Sequence, residues 1–154
     1  RVVLVNNAIH SQSGQHLRLA LNTKNIGGQG LYVIKNRSNR SLASAQLSGN
    51  HSYIVKTIRF DDLLPILTAK GIERVLIKID IEGSENFALE GGEQIFNQLD
   101  VPLVQMEWLR IRNYPERVET IFKFFAKYDY VPTTIECKPL NPKDYHLWPK
   151  DVYW

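Results

Sequence analysis

Charged residues stand at alternate positions where an apolar segment in the middle of the chain ends. Lys78, Asp80 and Glu82 are two residues apart in the sequence I-K-I-D-I-E-G-S-E, which covers residues 77–85. On an extended strand such residues share one side. Because an unpaired charge is costly to bury, Lys78 and Asp80 could form an ion pair that only fixes the strand. Alternatively, carboxylates at a strand end could accept a proton, bind hydroxyl groups or hold a cation.

Two other apolar segments also end in polar residues. Glu107 follows the apolar stretch L-V-Q-M, and it is either a functional carboxylate or an exposed residue at the rim of a sheet. Asn7, Ala8 and Ile9 end the first apolar segment of the chain. An amide beside a small side chain suits the edge of a flat heterocycle, although an asparagine at a strand end is often only a turn former.

The residues after Asp80 are typical of a strand that leads into a helix. Gly83 allows a tight turn or the close approach of a ligand to the backbone. Ser84 is expected to cap the following helix, and Glu85 suits the positively polarised first turn. We therefore predict that this strand-to-helix turn carries the chemistry of the chain.

The elements that must position these residues alternate between strands and helices. Strands are predicted over residues 1–9, 53–60, 74–80, 101–108, 130–136 and 151–154. Helices are predicted over residues 62–71, over residues 84–99 with a break at Gly91-Gly92, and from Pro115 onward. The first strand is expected to be buried on both faces, and the polar segment 10–52 to form a hairpin-like excursion. This alternation predicts an α/β fold with a mostly parallel sheet, in which ligands bind at the carboxyl ends of the strands.

Composition excludes several classes of function. A chain of 154 residues with 44% hydrophobic and 23% charged residues fits one globular domain. The net charge is only +3, and the basic residues are scattered along the sequence, which argues against nucleic acid as a partner. Cys137 is the only cysteine, so no internal disulfide can form, and the four histidines lack the spacing of a zinc site. We expect no membrane-spanning segment in this chain, because no apolar run approaches the necessary length of about 20 residues.

The cellular compartment stays open at this level. A single cysteine favours the cytoplasm. Three N-x-S/T sequons, at Asn36, Asn39 and Asn50, leave the Golgi or secretory lumen possible, although chance explains most such matches in an Asn- and Ser-rich segment. The oligomeric state is not indicated.

Four segments together resemble the FkbM family of S-adenosylmethionine-dependent methyltransferases. Residues 77–85 resemble the family pattern K-[IL]-D-[VI]-E-G-x-E, and residues 88–92 (A-L-E-G-G) resemble the L-x-G that follows it. Residues 57–64 (T-I-R-F-D-D-L-L) resemble T-[IL]-D-D-L, with Arg59-Phe60 as an extra pair. Residues 7–9, followed by Gly14, resemble N-A-[LV]-x(4)-G. The later strands also correspond, so the resemblance covers nearly the whole chain.

The resemblance implies a Rossmann-like methyltransferase sheet with an antiparallel closing strand. It also implies methylation of a hydroxyl group on a sugar or other small molecule, with S-adenosylmethionine as the methyl donor. Asn7, Ala8 and Ile9 would then lie beside the adenine, and Asp80 and Glu82 near the transferred methyl group or the acceptor hydroxyl. The family's first strands and glycine-rich D-x-G-A-N-x-G loop are expected to precede Arg1, so the chain is expected to be a single domain without that donor loop.

This resemblance leads to a mechanism and leaves two rivals. A carboxylate, Asp80 or Glu82, would accept the hydroxyl proton, with Lys78 holding it in place and Glu107 at the same rim. The first rival is a non-catalytic fragment or binding module of the same fold, with one edge of the strand 75–80 exposed. The second is a metal hydrolase that uses Asp80, Glu82 and Glu107.

Overall fold

The computed structural model describes residues 2–20, 30–33 and 52–154, apart from the side chains of residues 20, 32, 33 and 52. The strands are β1 (Ala8–Ile9), β2 (His16–Ala20), β3 (Leu31–Val33), β4 (Ser52–Ile58), β5 (Arg74–Ile79), β6 (Asp100–Glu107) and β7 (Asp151–Tyr153). The α-helices are α1 (Leu64–Ala69), α2 (Glu85–Glu90), α3 (Glu93–Gln98) and α4 (Pro115–Lys127). Short 3-10 helices cover Phe60–Leu63, Ile111–Asn113 and Pro142–Leu147. Within this part of the chain, no helix is long and apolar enough to cross a membrane.

The strands form two sheets, which confirms a mixed α/β architecture. One sheet has the order β1-β4-β2-β3 and the other β5-β6-β7. Parallel pairing joins β1 to β4 and β5 to β6, whereas β7 closes the second sheet antiparallel to β6 as predicted. Among the described strands, parallel pairing is confined to these two pairs, and β2 pairs antiparallel with both β3 and β4. The predicted mostly parallel sheet is therefore confirmed only in part.

The main core lies between the second sheet and helix α4. Pro115 stands in the first turn of α4, where its missing N–H costs nothing. Val118, Ile121 and Phe125 follow at helical spacing, and all three are buried against the sheet. The prediction of this helix and of its apolar face is therefore confirmed.

One predicted strand is much shorter than expected, and another is not formed. Residues 2–5 are exposed rather than buried on both faces, with Val2 93% and Leu4 89% exposed, and the strand is confined to Ala8–Ile9, where β4 supplies hydrogen-bond partners. The described residues 130–136 form turns and isolated bridges instead of a strand. The chain reverses there, because the N–H of Cys137 donates to the carbonyl of Thr134.

The two sheets are linked through the break between α2 and α3. Asp61 is buried and accepts a hydrogen bond from the N–H of Ile95 in the first turn of α3 (3.1 Å). The N–H of Asp61 donates to the carbonyl of Gly91 (2.8 Å). A side chain at Gly91 would place a Cβ 2.6 Å from the carbonyl oxygen of His10, so glycine permits this close approach of β1 to the helix break.

Candidate active site

The carboxylates predicted at the strand ends do converge. In the parallel pair of β5 and β6, Ile79 lies opposite Met106, so Asp80 and Glu107 follow at the same edge. One oxygen each from Asp80, Glu82 and Glu107 lie within 4.8 Å of one another. We call these three residues the carboxylate cluster.

Each member of the carboxylate cluster has a cationic partner. Lys78 Nζ lies 3.2 Å from Asp80 Oδ2, as the spacing predicted. Arg110 Nε lies 2.8 Å from Glu82 Oε2, and Lys150 Nζ lies 3.6 Å from Glu107 Oε1. Neither Arg110 nor Lys150 was predicted as a site residue, because Arg110 after β6 and Lys150 before β7 stand in no recognisable motif.

The expectation that Lys78 is a buried charge is wrong. Ile77 and Ile79 are buried, whereas the side chain of Lys78 is 59% exposed on the other side of β5. Only one face of β5 packs against the core, so apolar residues alternate with exposed charged residues at the end of this strand. The ion pair of Lys78 with Asp80 is therefore a solvent-screened contact that contributes little to stability.

Glu107 is the member of the cluster best suited to accept a proton. Its side chain is 11% exposed. Burial raises the pKa of Glu107, the negative charges of Asp80 and Glu82 raise it further, and Lys150 opposes the shift. A raised carboxyl pKa brings the base closer to neutral pH, where general-base catalysis is most effective.

The turn that holds Glu82 is built by a buried carboxylate, Glu85. Glu82 and Gly83 both have left-handed backbones, with φ values of 59° and 93°. Glu85 is 1% exposed, and its Oε1 accepts hydrogen bonds from the N–H groups of Ile81 (3.3 Å) and Gly83 (3.0 Å), on either side of Glu82. Glu85 therefore fixes the conformation in which Glu82 reaches the cluster.

Ser84 and Glu85 occupy the positions predicted for them at the start of α2, but their side chains make other contacts than expected. Ser84 occupies the cap position of α2, but its side chain makes no capping hydrogen bond in the described structure. Glu85 lies in the first turn of α2, as predicted, but its carboxylate is buried and accepts hydrogen bonds from the preceding backbone. Without Glu85 the N–H groups of Ile81 and Gly83 would lack this hydrogen-bond partner, and a buried donor without a partner is costly.

We predict that Glu85→Gln removes a pH dependence of stability. Burial raises the pKa of Glu85, and the backbone N–H groups of Gly83 and Ile81 lower it less. The folded state therefore holds the proton at higher pH than the unfolded state, where the pKa is about 4.3. The free energy of unfolding should fall as pH rises from that value through the raised pKa, and glutamine, which also accepts through Oε1, should flatten this slope.

Urea unfolding between about pH 4 and pH 8 measures this slope. Glu73→Gln, at an exposed carboxylate just before β5, is the matched control and should keep the wild-type slope. Glu85→Ala should lower the free energy of unfolding by about 2–5 kcal/mol, because it leaves the buried N–H of Gly83 and the partly buried N–H of Ile81 unpaired. An unchanged slope in Glu85→Gln would show that this carboxyl does not titrate differently on folding.

Ala8 and Ile9 form β1, and Asn7 directly precedes it. Ala8 and Ile9 pair with Thr57 and Ile58 of β4, and the side-chain amide of Asn7 donates to the carbonyl of Lys56 (3.2 Å). All three are half-buried. The next residue, His10, stacks on Phe87 of α2 with ring centroids 4.3 Å apart, which joins this strand end to the helix that follows the Glu82 turn.

A cavity of about 240 Å³ opens beside Glu82. The lining side chains that can contact a polar ligand are Glu82, Ser84, Arg110, Asn113, Tyr114 and Arg117. Arg117 Nη1 donates to the carbonyl of Gly83 (2.5 Å), and its guanidinium lies over the rings of Tyr114 (4.4 Å) and Phe87 (5.2 Å). No sequence motif pointed to this cavity, because its residues come from the turn before α2, residues 110–114, the start of α4, and residues 30–31 at β3.

Comparison with known proteins supports the family suggested by the sequence. No curated protein and no solved structure matches the chain significantly. The model of the methyltransferase FkbM domain matches residues 2–132, which include the strand-to-helix turn and the whole carboxylate cluster. The chain therefore belongs to the FkbM family of methyltransferase domains.

Proposed function

We propose that this methyltransferase is an S-adenosylmethionine-dependent O-methyltransferase that acts on a hydroxyl group of a sugar or another small molecule. The observation that carries the proposal is the convergence of Asp80, Glu82 and Glu107 at the carboxyl ends of two parallel strands. Ligands of α/β sheets bind at that edge. In this proposal β5 and β6 belong to a Rossmann-like methyltransferase sheet.

The residues at the end of β1 fit the donor nucleoside. Ala8 offers a small side chain, and the amide of Asn7 retains an acceptor oxygen after its N–H donates to Lys56. Asn7, Ala8 and Ile9 would hold the adenine at this edge. S-Adenosylmethionine, when bound, supplies the electrophilic methyl group.

The carboxylate cluster would take the proton from the acceptor hydroxyl. Glu107 combines a raised pKa with little exposure, so it is the best base, and Asp80 and Glu82 raise its basicity through their charges. Lys78 and Arg110 hold Asp80 and Glu82 in position by ion pairs. Alignment of the hydroxyl at near-attack distance would supply most of the remaining rate enhancement.

The test is methyl transfer from labelled S-adenosylmethionine to a panel of sugars and small alcohols. Product in the presence of one acceptor class, with saturable donor binding by calorimetry, supports the enzyme. Donor binding without transfer to any acceptor supports the binding-module alternative, and absence of both contradicts the proposal for this chain.

The metal hydrolase is less favoured, because each carboxylate of the cluster already pairs with Lys or Arg. A measured metal content of one ion per chain would favour the hydrolase.

Asp80→Asn is expected to lower turnover while leaving donor binding mostly intact. The substitution removes a charge that raises the pKa of Glu107, so it should also move the acid limb of the pH–rate profile to lower pH. Initial rates and calorimetric titration of the donor measure the two effects separately. Wild-type turnover in Asp80→Asn would exclude Asp80 from the reaction.

A further inference from the structure

We propose that the cavity beside Glu82 binds an anionic group of the acceptor, a carboxylate or a phosphate, and that Arg117 is its main contact. The inference rests on the proposed function, since it names the class of acceptor for that site. The cavity and the carboxylate cluster share Glu82, so a ligand in the cavity adjoins the place where the hydroxyl would lose its proton.

The charges that line the cavity favour an anion. Among its described lining residues, Arg110 and Arg117 carry positive charge and Glu82 carries negative charge. The ion pair with Arg110 neutralises Glu82, so Arg117 supplies the remaining positive charge. Arginine is the side chain that binds carboxylate and phosphate through two parallel N–H donors.

Arg117 is held in place before any ligand arrives. Nη1 donates to the Gly83 carbonyl, and the guanidinium rests on two aromatic rings, so the side chain has lost much of its freedom already. Its Nε lies 3.9 Å from Glu116 Oε1, a contact longer than a hydrogen bond, and a guanidinium has five N–H donors. Donors therefore remain for a ligand oxygen.

The cavity also limits the size of the acceptor. Its volume of about 240 Å³ lies below the range of about 300–1,000 Å³ typical of pockets for drug-sized ligands. A single substituted ring with one charged group suits it better than a large acceptor. The hydroxyl groups of Ser84 and Tyr114 can bind further polar groups of such a ring.

The test compares matched neutral and charged probes by calorimetric titration of the full chain. Glucose is the neutral probe; glucuronate carries a carboxylate and glucose 6-phosphate a phosphate. We expect at least one charged probe to bind about 10-fold more tightly than glucose, and Arg117→Gln to abolish that difference. Preference for one charged probe over the other identifies the anion. Arg117→Lys should retain part of the difference, because it keeps the charge without the planar fork.

Arg74→Gln is the control, since Arg74 is an exposed arginine in an ion pair at the opposite end of β5. Its probe affinities should match those of the wild type. Equal affinity for charged and neutral probes, or a charge preference that survives Arg117→Gln, would overturn the proposal. Transfer to charged acceptors that is insensitive to Arg117→Gln would overturn this inference and leave the methyltransferase intact. A charge preference that depends on Arg117, without transfer, would leave the anion site standing and remove the enzymatic proposal.

Discussion

Glu107→Gln is expected to lower the rate of methyl transfer by about 10²–10⁴-fold, the contribution typical of a positioned general base. Glutamine has nearly the same shape but cannot take a proton from the acceptor hydroxyl. The donor would be held by residues at the end of β1, so its affinity should change little. Initial rates at saturating donor and acceptor, with calorimetric titration of the donor, measure the two quantities.

The pH dependence of the same reaction distinguishes a base from a structural residue. Glu107 must be deprotonated to act, and its pKa is raised, so wild-type activity should fall with decreasing pH at values above the ordinary glutamate range. The residual activity of Glu107→Gln should lack this acid limb of the pH–rate profile. Glu73→Gln makes the same chemical change at an exposed position before β5 and should leave both the rate and the limb unchanged. A residual activity near that of the wild type would assign the proton to another group.

The positions of the carboxylates could be predicted from the sequence because strand periodicity is a local property. Alternation across β5 places Ile77 and Ile79 in the core, and the apolar run of β6 ends at Glu107. Parallel pairing then brings both strand ends to one edge. The helical face of α4 was predictable for the same reason, since its apolar residues recur with the period of the helix.

The partners of the carboxylates could not be predicted, because they depend on tertiary geometry. Lys150 reaches Glu107 from the segment before β7, which is 43 residues further along the chain by the sequence numbers. The inward turn of Glu85 depends on which N–H groups the turn leaves without partners. Hydrophobicity also misplaced residues 2–5, since an apolar segment becomes a buried strand only where a neighbour pairs with it.

Phe125→Ala is expected to lower the free energy of unfolding by about 3–5 kcal/mol, a large share of the 5–15 kcal/mol typical of a domain. Phe125 is fully buried and stacks on Trp154, with ring centroids 4.2 Å apart and an interplanar angle of 7°. Its ring also meets those of Phe96 and Tyr130 edge-on, at 6.3 Å and 5.5 Å. Truncation leaves a cavity between α4, α3 and the chain terminus that rigid aromatic neighbours fill poorly.

Urea unfolding of two companion variants separates this cavity from the loss of any aromatic ring. Tyr53→Ala removes a ring that is 61% exposed on β4, so it should cost no more than about 0.5 kcal/mol. Phe125→Leu keeps most of the buried volume and should cost less than half as much as Phe125→Ala. If Phe125→Ala were no worse than Tyr53→Ala, the stack on Trp154 would not hold the terminus against α4. The position of β7, and with it the pairing of Lys150 with Glu107, would then need another source of stability.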